Sequence, residues 1–170
     1  MITNFLLDHS ALVPVAILLV ALVCAVLGHL LAGKRRILWA LTGVSLVPVF
    51  ALTLVPAGRT LDETGCTVQF FLPTLGAVEL LANVALFLPP VYFAALASRR
   101  PLTTLAAGSA LSAVVEAVQA LVPAIGRACD TNDWLMNTLG AVLGMFLALG
   151  TAWLVKRRAQ SGSATGAMSS

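Results

Sequence analysis

A group of polar and charged side chains stands out in an apolar part of the chain, between residues 112 and 144. Carboxylic acids, amides and a guanidinium transfer protons, bind anions and form hydrogen bonds inside membrane proteins. The chain is 59% hydrophobic and only 10% charged, so this concentration of polar groups marks a candidate site. The residues that carry this chemistry are Ser112, Glu116, Gln119, Arg127, Asp130, Asn132, Asp133 and Asn137.

Glu116 is the sharpest of these signals. Ser112, Glu116 and Gln119 are spaced i, i+4 and i+7, which places them on one face of a helix. At 1.5 Å per residue, Glu116 lies roughly six residues, on the order of 9 Å, below the outer end of its predicted span. A carboxyl group at that depth costs roughly 2–3 kcal/mol or more, so it should face protein or water. A functional acid and a hydrogen-bond clamp between helices both explain it.

Neighbouring spans supply further polar groups at a similar depth. Asn83 lies one turn after Glu79, and Asn137 lies one turn after Asp133. Glu116 and Asp133 are therefore the candidate catalytic residues, each as a general base. For Asn83 and Asn137 the alternative is hydrogen bonding between helices, which is common for Asn in membranes.

The segment before the last span contains three more candidate residues, and each has two possible explanations. Asp130 and Asp133 suit the N-terminus of a helix, as caps or as partners of its dipole. Arg127 either pairs with Asp130 or recognises a phosphate or carboxylate with its planar fork of donors. Glu116, Asp130 and Asp133 together are candidate ligands for a hard divalent cation. The chain has no HExxH, CxxC, Walker or G-x-S-x-G motif.

Five apolar runs must position these groups, and each is long enough to cross a bilayer, which takes a helix of about 20 residues. A soluble domain carries about 25% charged residues, whereas this chain carries 10%. The sequence therefore predicts an all-α membrane protein of 170 residues with one transmembrane domain over 1–158 and a disordered cytoplasmic tail over 159–170. The predicted spans are 11–33, 37–57, 74–97, 102–122 and 134–155.

Basic residues set the predicted orientation. Eight of the ten lie in three clusters, Lys34–Arg36, Arg99–Arg100 and Lys156–Arg158, which follow the first, third and fifth spans. Such clusters mark the cytoplasmic side, so the N-terminus should be outside and the C-terminus in the cytoplasm. The net charge of +3 does not indicate nucleic-acid binding, because it forms no continuous basic face.

Cysteines and glycines add two structural predictions. Cys66 and Cys129 both fall outside in this topology, where disulfides persist, and they are expected to pair. Gly140 and Gly144 form GxxxG on the face of Asn137. This motif favours close helix packing, with the fourth span as the expected neighbour.

The motifs taken together resemble those of the VanZ-like membrane proteins, a family named for a teicoplanin-resistance protein. The resemblance covers about 80–147 and includes N-x-x-x-F-x-P and S-x-x-x-E-x-x-Q, followed by R-x-x-D-x-x-D-x-x-x-N-x-x-G-x-x-x-G. Where the family often has Gly after the proline and a second acid beside Asp133, this chain has Pro90 and Asn132. The resemblance implies a multi-pass protein of the cell membrane, sometimes linked to glycopeptide resistance, and no settled reaction.

The functional prediction is a VanZ-like envelope protein that binds or modifies an envelope component. Membrane lipids, a lipid-linked envelope precursor or an amphiphilic glycopeptide are the expected partners. A polar pocket near the outer face is expected to hold the ligand. A non-catalytic binder and a structural membrane subunit whose polar residues clamp helices remain alternatives, and the sequence is silent on oligomeric state. The predicted binding residues are Asn83, Ser112, Gln119, Arg127, Asp130 and Asn137.

Overall fold

The computed structural model describes residues 12–56, 65–71 and 77–167. Within these residues the chain forms five helices that are long and apolar enough to cross a membrane. The protein is therefore an all-α, multi-pass membrane protein, as the sequence predicts. In chain order the elements are α1 Leu12–Leu30, α2 Arg35–Leu54, β1 Cys66–Thr67, α3 Val78–Ser98, α4 Pro101–Leu121, a 3-10 turn Pro123–Ile125, β2 Cys129–Asp130 and α5 Thr131–Ala167.

Tight turns at the basic clusters connect consecutive helices. Gly33, between α1 and α2, has a φ of +90°, a conformation that glycine adopts without steric cost. α3 ends at Arg99, whose backbone is left-handed and whose N–H donates to the carbonyl of Ala95 over 3.0 Å. Pro101 then opens α4, at a position where a helix does not use the backbone N–H. These breaks end α1 and α3 at the basic clusters and let α2 and α4 begin within a few residues.

α3 is the central helix of the bundle. In its apolar window 61% of the residues are buried, against 17% in α1 and in α2, and it packs against all four other long helices. Phe87, Leu88 and Tyr92 are almost completely buried on it. The outer helices instead expose large aliphatic side chains such as Leu18 and Leu22, as expected for surfaces that face lipid.

The GxxxG motif of α5 packs against α3 and not against α4, so the expected neighbour was wrong. A Cβ on Gly140 would collide with the backbone carbonyl of Val84, and one on Gly144 would meet the carbonyl oxygen of Leu88 at 2.5 Å. Small residues let two helix backbones approach this closely. The contact goes to α3 because that helix is central, whereas α4 meets α5 through side chains such as Ser109.

The bundle has two chemically different ends. The basic end comprises the helix ends that carry Lys34–Arg36, Arg99–Arg100 and Lys156–Arg158, with α1, α3 and α5 running towards it. The acidic end is the opposite one, where the four acids of the described residues lie. These are Glu79, Glu116, Asp130 and Asp133.

A short extended segment crosses the acidic end. β1 pairs in parallel with β2, with Cys66 opposite Cys129 and Thr67 opposite Asp130. A disulfide joins Cys66 to Cys129, with the two Cα atoms 4.5 Å apart. The chain from residue 65 to 71 is thereby attached to the start of α5.

Most helix ends lie within three residues of the predicted limits, and two ends differ by more. α3 begins at Val78, inside the predicted 74–97. α5 continues to Ala167, through most of the segment 159–170 that was expected to be disordered. The segment 159–167 contains no proline, the residue that interrupts a helix most strongly. The predicted limits at 11, 57 and 74, and the end of the tail at 168–170, lie outside the described residues.

Candidate functional site

Hydrogen bonds between buried side chains join α4 to α5 in the middle of the predicted site. Asn137 donates from Nδ2 to Oγ of Ser112 over 2.9 Å, and the two side chains are 2% and 0% exposed. One turn away, the hydroxyls of Ser109 and Thr138 lie 3.0 Å apart. Oδ1 of Asn137 is buried and has no hydrogen-bond partner among the described residues. A buried acceptor without a donor is costly. Within the described residues this amide forms a hydrogen bond through its nitrogen and none through its oxygen.

Glu116 lies one turn from Ser112 and is 7% exposed. Its Oε2 accepts a hydrogen bond from the backbone N–H of Asp130 over 3.0 Å, which anchors β2 on α4. Asp130 and Asp133 both lie within electrostatic range of this carboxyl group. The site therefore brings Glu116, Asp130 and Asp133 together, although they are 14 or more residues apart from Glu116 in the chain.

Asp133 connects α5 to α3. Its Oδ1 accepts from Nδ2 of Asn83 over 2.6 Å, and Glu79 and Asp130 lie within electrostatic range. Asp133 and Asn83 are both half-buried. Glu116 and Asp133 thus resemble each other, because each is held by a neutral N–H donor. No hydrogen bond to the second oxygen of either carboxylate comes from the described residues.

Gln119 leaves this group and turns towards α2. It is 7% exposed, and its Nε2 donates to the backbone carbonyl of Thr53 over 2.9 Å. That carbonyl belongs to the last turn of α2, where helix carbonyls lack intrahelical donors. The shared helix face with Ser112 and Glu116 is real, but Gln119 serves as a tether to a different neighbour.

Asp130 organises the segment that covers the acidic end. Its Oδ1 accepts from the backbone N–H of Asn132 over 2.8 Å, and its Oδ2 accepts from the side chain of Gln69. The backbone N–H groups of Gln69 and Phe71 donate to Thr131 Oγ1 at 2.9 Å and to Asn132 Oδ1 at 2.8 Å. These two side chains therefore hold the segment against α5.

The role of Gln69 and Thr131 was missed from the sequence. Their positions are more than 60 residues apart, and neither belongs to a recognisable motif. The only sequence signal is that both flank a cysteine, at Cys66 and Cys129, so the expected disulfide already indicated that these two segments lie side by side.

Arg127 makes no ion pair with Asp130 among the described residues, so the local pairing offered as one explanation for it is absent there. Its side chain is half-buried, and its Nε is buried without a hydrogen-bond partner in that part of the chain. A guanidinium nitrogen in this state is a donor that an anionic group can use.

The acids do not form a metal site in the described part of the chain. No group of three or more His, Cys, Asp or Glu side chains in residues 12–56, 65–71 and 77–167 is arranged to hold a metal ion. Two neighbouring cavities of the structure lie at the basic end, and the predicted binding residues line neither. At the acidic end the polar side chains mainly contact one another.

Comparison with known proteins gives one family. The family model described as VanZ/LLP1 matches residues 15–155, which cover nearly all of the five spans and the whole polar cluster. No curated protein and no solved structure matches the chain.

Proposed function

Since this chain belongs to the VanZ/LLP1 family, we propose that it acts in the cell membrane on an amphiphilic or lipid-linked envelope component. Binding or modification takes place at the acidic end of the bundle, which faces outward. The family's name links it to teicoplanin resistance, and a lipid-tailed glycopeptide or its membrane-bound target has the chemistry expected of such a ligand.

One observation carries this proposal. The carboxyl groups of Glu116 and Asp133 lie in the membrane-spanning part of the bundle, within electrostatic range of each other, and the described residues give each only a neutral donor. Two carboxylates are an expensive way to join helices in a membrane, because an amide or hydroxyl would form the same hydrogen bonds. Their presence supports a role in proton transfer or ligand binding.

Arg127 supports recognition of an anionic ligand. Its buried Nε lacks a partner in the described residues, and a guanidinium binds phosphate or carboxylate groups through parallel hydrogen bonds. A lipid-linked precursor carries phosphate and a glycopeptide target carries carboxylate, so either supplies such a group.

Amide replacement at the two acids tests the proposal. We would express the protein in a sensitive host, measure resistance to a lipid-tailed glycopeptide, and compare wild type with Glu116→Gln and Asp133→Asn at equal membrane abundance. Both amides keep the size of the side chain and accept the existing hydrogen bonds. Loss of protection in both, with abundance unchanged, is the expected result.

Ser109→Ala is the matched control. It removes the hydroxyl contact with Thr138 between the same two helices, α4 and α5, and leaves the carboxylates untouched. This variant should protect like wild type. If the amide variants protect as well as wild type, the carboxylates are dispensable and the proposal fails. If wild type gives no protection, the link to resistance does not apply to this chain.

A structural membrane subunit is the second candidate function. It is favoured by the hydrogen bonds that join α3, α4 and α5 through Asn83, Ser112 and Asn137. Under this alternative, Ser109→Ala and Ser112→Ala lower the amount of protein in the membrane and leave activity per molecule unchanged. Glu116→Gln and Asp133→Asn, which keep their hydrogen bonds, change neither. The abundance measurement therefore separates the two functions.

A further inference from the structure

A cavity opens at the basic end, on the opposite side of the molecule from the acidic cluster. It has a volume of about 410 Å³ and lies between α2, α3, α5 and the turn after α1. Its walls are small and aliphatic, with Leu38, Ala95, Leu96 and Ala148 among the lining residues. A second cavity of about 330 Å³ adjoins it and shares Leu38 and Leu96. Volumes of this size are typical of ligand sites.

Cationic side chains surround these apolar walls. Arg99 lines both cavities, Lys156 lines the first and Arg35 lines the second. All three side chains are exposed, and none forms an ion pair or a side-chain hydrogen bond with a described residue. The four acids of the described residues lie at the other end, so the charge here has no counterpart in that part of the chain.

Two other cations of this end are already engaged. Arg158 shares a contact of 3.0 Å with Nε2 of His29, and the guanidinium of Arg157 lies 3.8 Å from the ring centre of Trp153. The cations that line the cavities have no such contact in the described residues. Lys34, Arg36 and Arg100 also lack one, but they do not line the apolar walls. They are placed to receive an anion from outside the chain.

Arg99 has a left-handed backbone conformation, which is unfavourable for a residue with a side chain. Its φ is 59°, and it is the only non-glycine residue with positive φ in the described residues. Glycine is the usual residue at this position after a helix. An arginine at this position therefore carries a conformational cost, and such backbone outliers cluster at functional sites.

We propose that this cavity binds one anionic phospholipid from the leaflet that contacts the basic end. The phosphate is held by Arg99 and Lys156, with Arg35 beside it, and an acyl chain lies against the aliphatic walls. Basic pockets between membrane helices are suited to anionic headgroups. Apolar walls next to the cations favour a lipid over a soluble phosphate compound, because the latter has nothing to bury there.

Native mass spectrometry of the full chain in detergent tests the proposal. The probes are phosphatidylglycerol and phosphatidylcholine with the same acyl chains, and free glycerol phosphate is a competitor. Wild type should retain one phosphatidylglycerol in preference to phosphatidylcholine. Arg99→Gly and Lys156→Gln should each weaken that binding about fivefold, the change expected for losing one cation near an anionic group. Glycerol phosphate should compete poorly.

The choice of variants separates binding from folding. Arg99→Gly suits the left-handed backbone better than arginine does, so its thermal unfolding should be no worse than that of wild type. Arg100→Gln is the control, since Arg100 is adjacent and exposed but lines neither cavity. Equal weakening by Arg100→Gln, equal retention of the two lipids, or full competition by glycerol phosphate would each overturn the proposal.

Discussion

The contact between α5 and α3 gives a prediction whose size follows from the structure. Gly140→Ala and Gly150→Ala are the same chemical change at two positions of α5. A methyl group on Gly140 would collide with the carbonyl oxygen of Val84 and lie 2.9 Å from its carbonyl carbon, whereas one on Gly150 has nothing within 4 Å. Only the first change forces atoms of two helices to move.

The comparison of the two variants isolates the steric cost. Each replacement gains about 1 kcal/mol of helix propensity over glycine, and this gain cancels when the variants are subtracted. The remaining difference is the cost of overpacking, about 1–3 kcal/mol. It should approach the upper value, because the obstacle on α3 is backbone and cannot rotate away. In the unfolding equilibrium this is a difference of about 5- to 160-fold.

Unfolding by SDS titration, followed by far-ultraviolet circular dichroism, measures this difference. Gly150→Ala should be as stable as wild type or more stable, and Gly140→Ala should be less stable than Gly150→Ala by the amount above. If both variants unfold at the same SDS fraction, the close approach of α5 to Val84 is refuted, and with it the central position of α3 against the GxxxG motif.

Two further predictions concern bonds elsewhere in the bundle. Tyr92→Phe removes the contact of 3.1 Å between the Tyr92 and Thr151 hydroxyls. The free energy of unfolding should fall by only about 0.6 kcal/mol, the average for such bonds in membranes, because Thr151 keeps its bond to a backbone carbonyl. A loss above about 1.7 kcal/mol in the same titration, the largest value found for such bonds, would contradict this. Peptides cleaved without reduction should contain Cys66 linked to Cys129. Reduction should leave the helical dichroism signal intact, since each spanning helix satisfies its backbone hydrogen bonds internally. Two free thiols in the native protein would exclude the bond.

The spans could be predicted because the residues next to their ends, above all the basic clusters, indicate where each span stops. Clusters such as Lys34–Arg36, and the basic pair before Pro101, cannot lie inside the hydrocarbon layer, so they mark where a span leaves it. These boundaries agree with α2 and α4 to within a few residues. No knowledge of the tertiary structure is needed for this step.

The arrangement of the helices was not predictable in the same way. In a membrane both the lipid-facing and the buried sides of a helix are apolar, so hydrophobic periodicity does not tell which side is inside. For that reason the sequence did not identify α3 as the central helix, nor did it direct Gly140 and Gly144 to α3. The direction of Gln119 towards α2 depends on the same tertiary arrangement.

The polar cluster was predictable in composition and only partly in geometry. Helical spacing correctly put Ser112 and Glu116 on one face, and Asn137 opposite them completes a hydrogen bond. The interaction of Glu116 with the N–H of Asp130 involves backbone, which carries no sequence signal. The expected pocket depends on how tightly these groups close on one another, and spacing alone does not specify that.

The disulfide has a consequence for how the protein is made. Cys66 and Cys129 lie 63 residues apart in the sequence and flank α3 and α4. The bond between them therefore closes this helical hairpin into a covalent ring. The two sulfur atoms reach the same side of the membrane only after α4 has crossed it. Ring closure therefore has to follow complete insertion of the hairpin, and an oxidised chain is one whose translocation was finished. Quantifying the oxidised fraction during synthesis would report directly on the order of membrane integration.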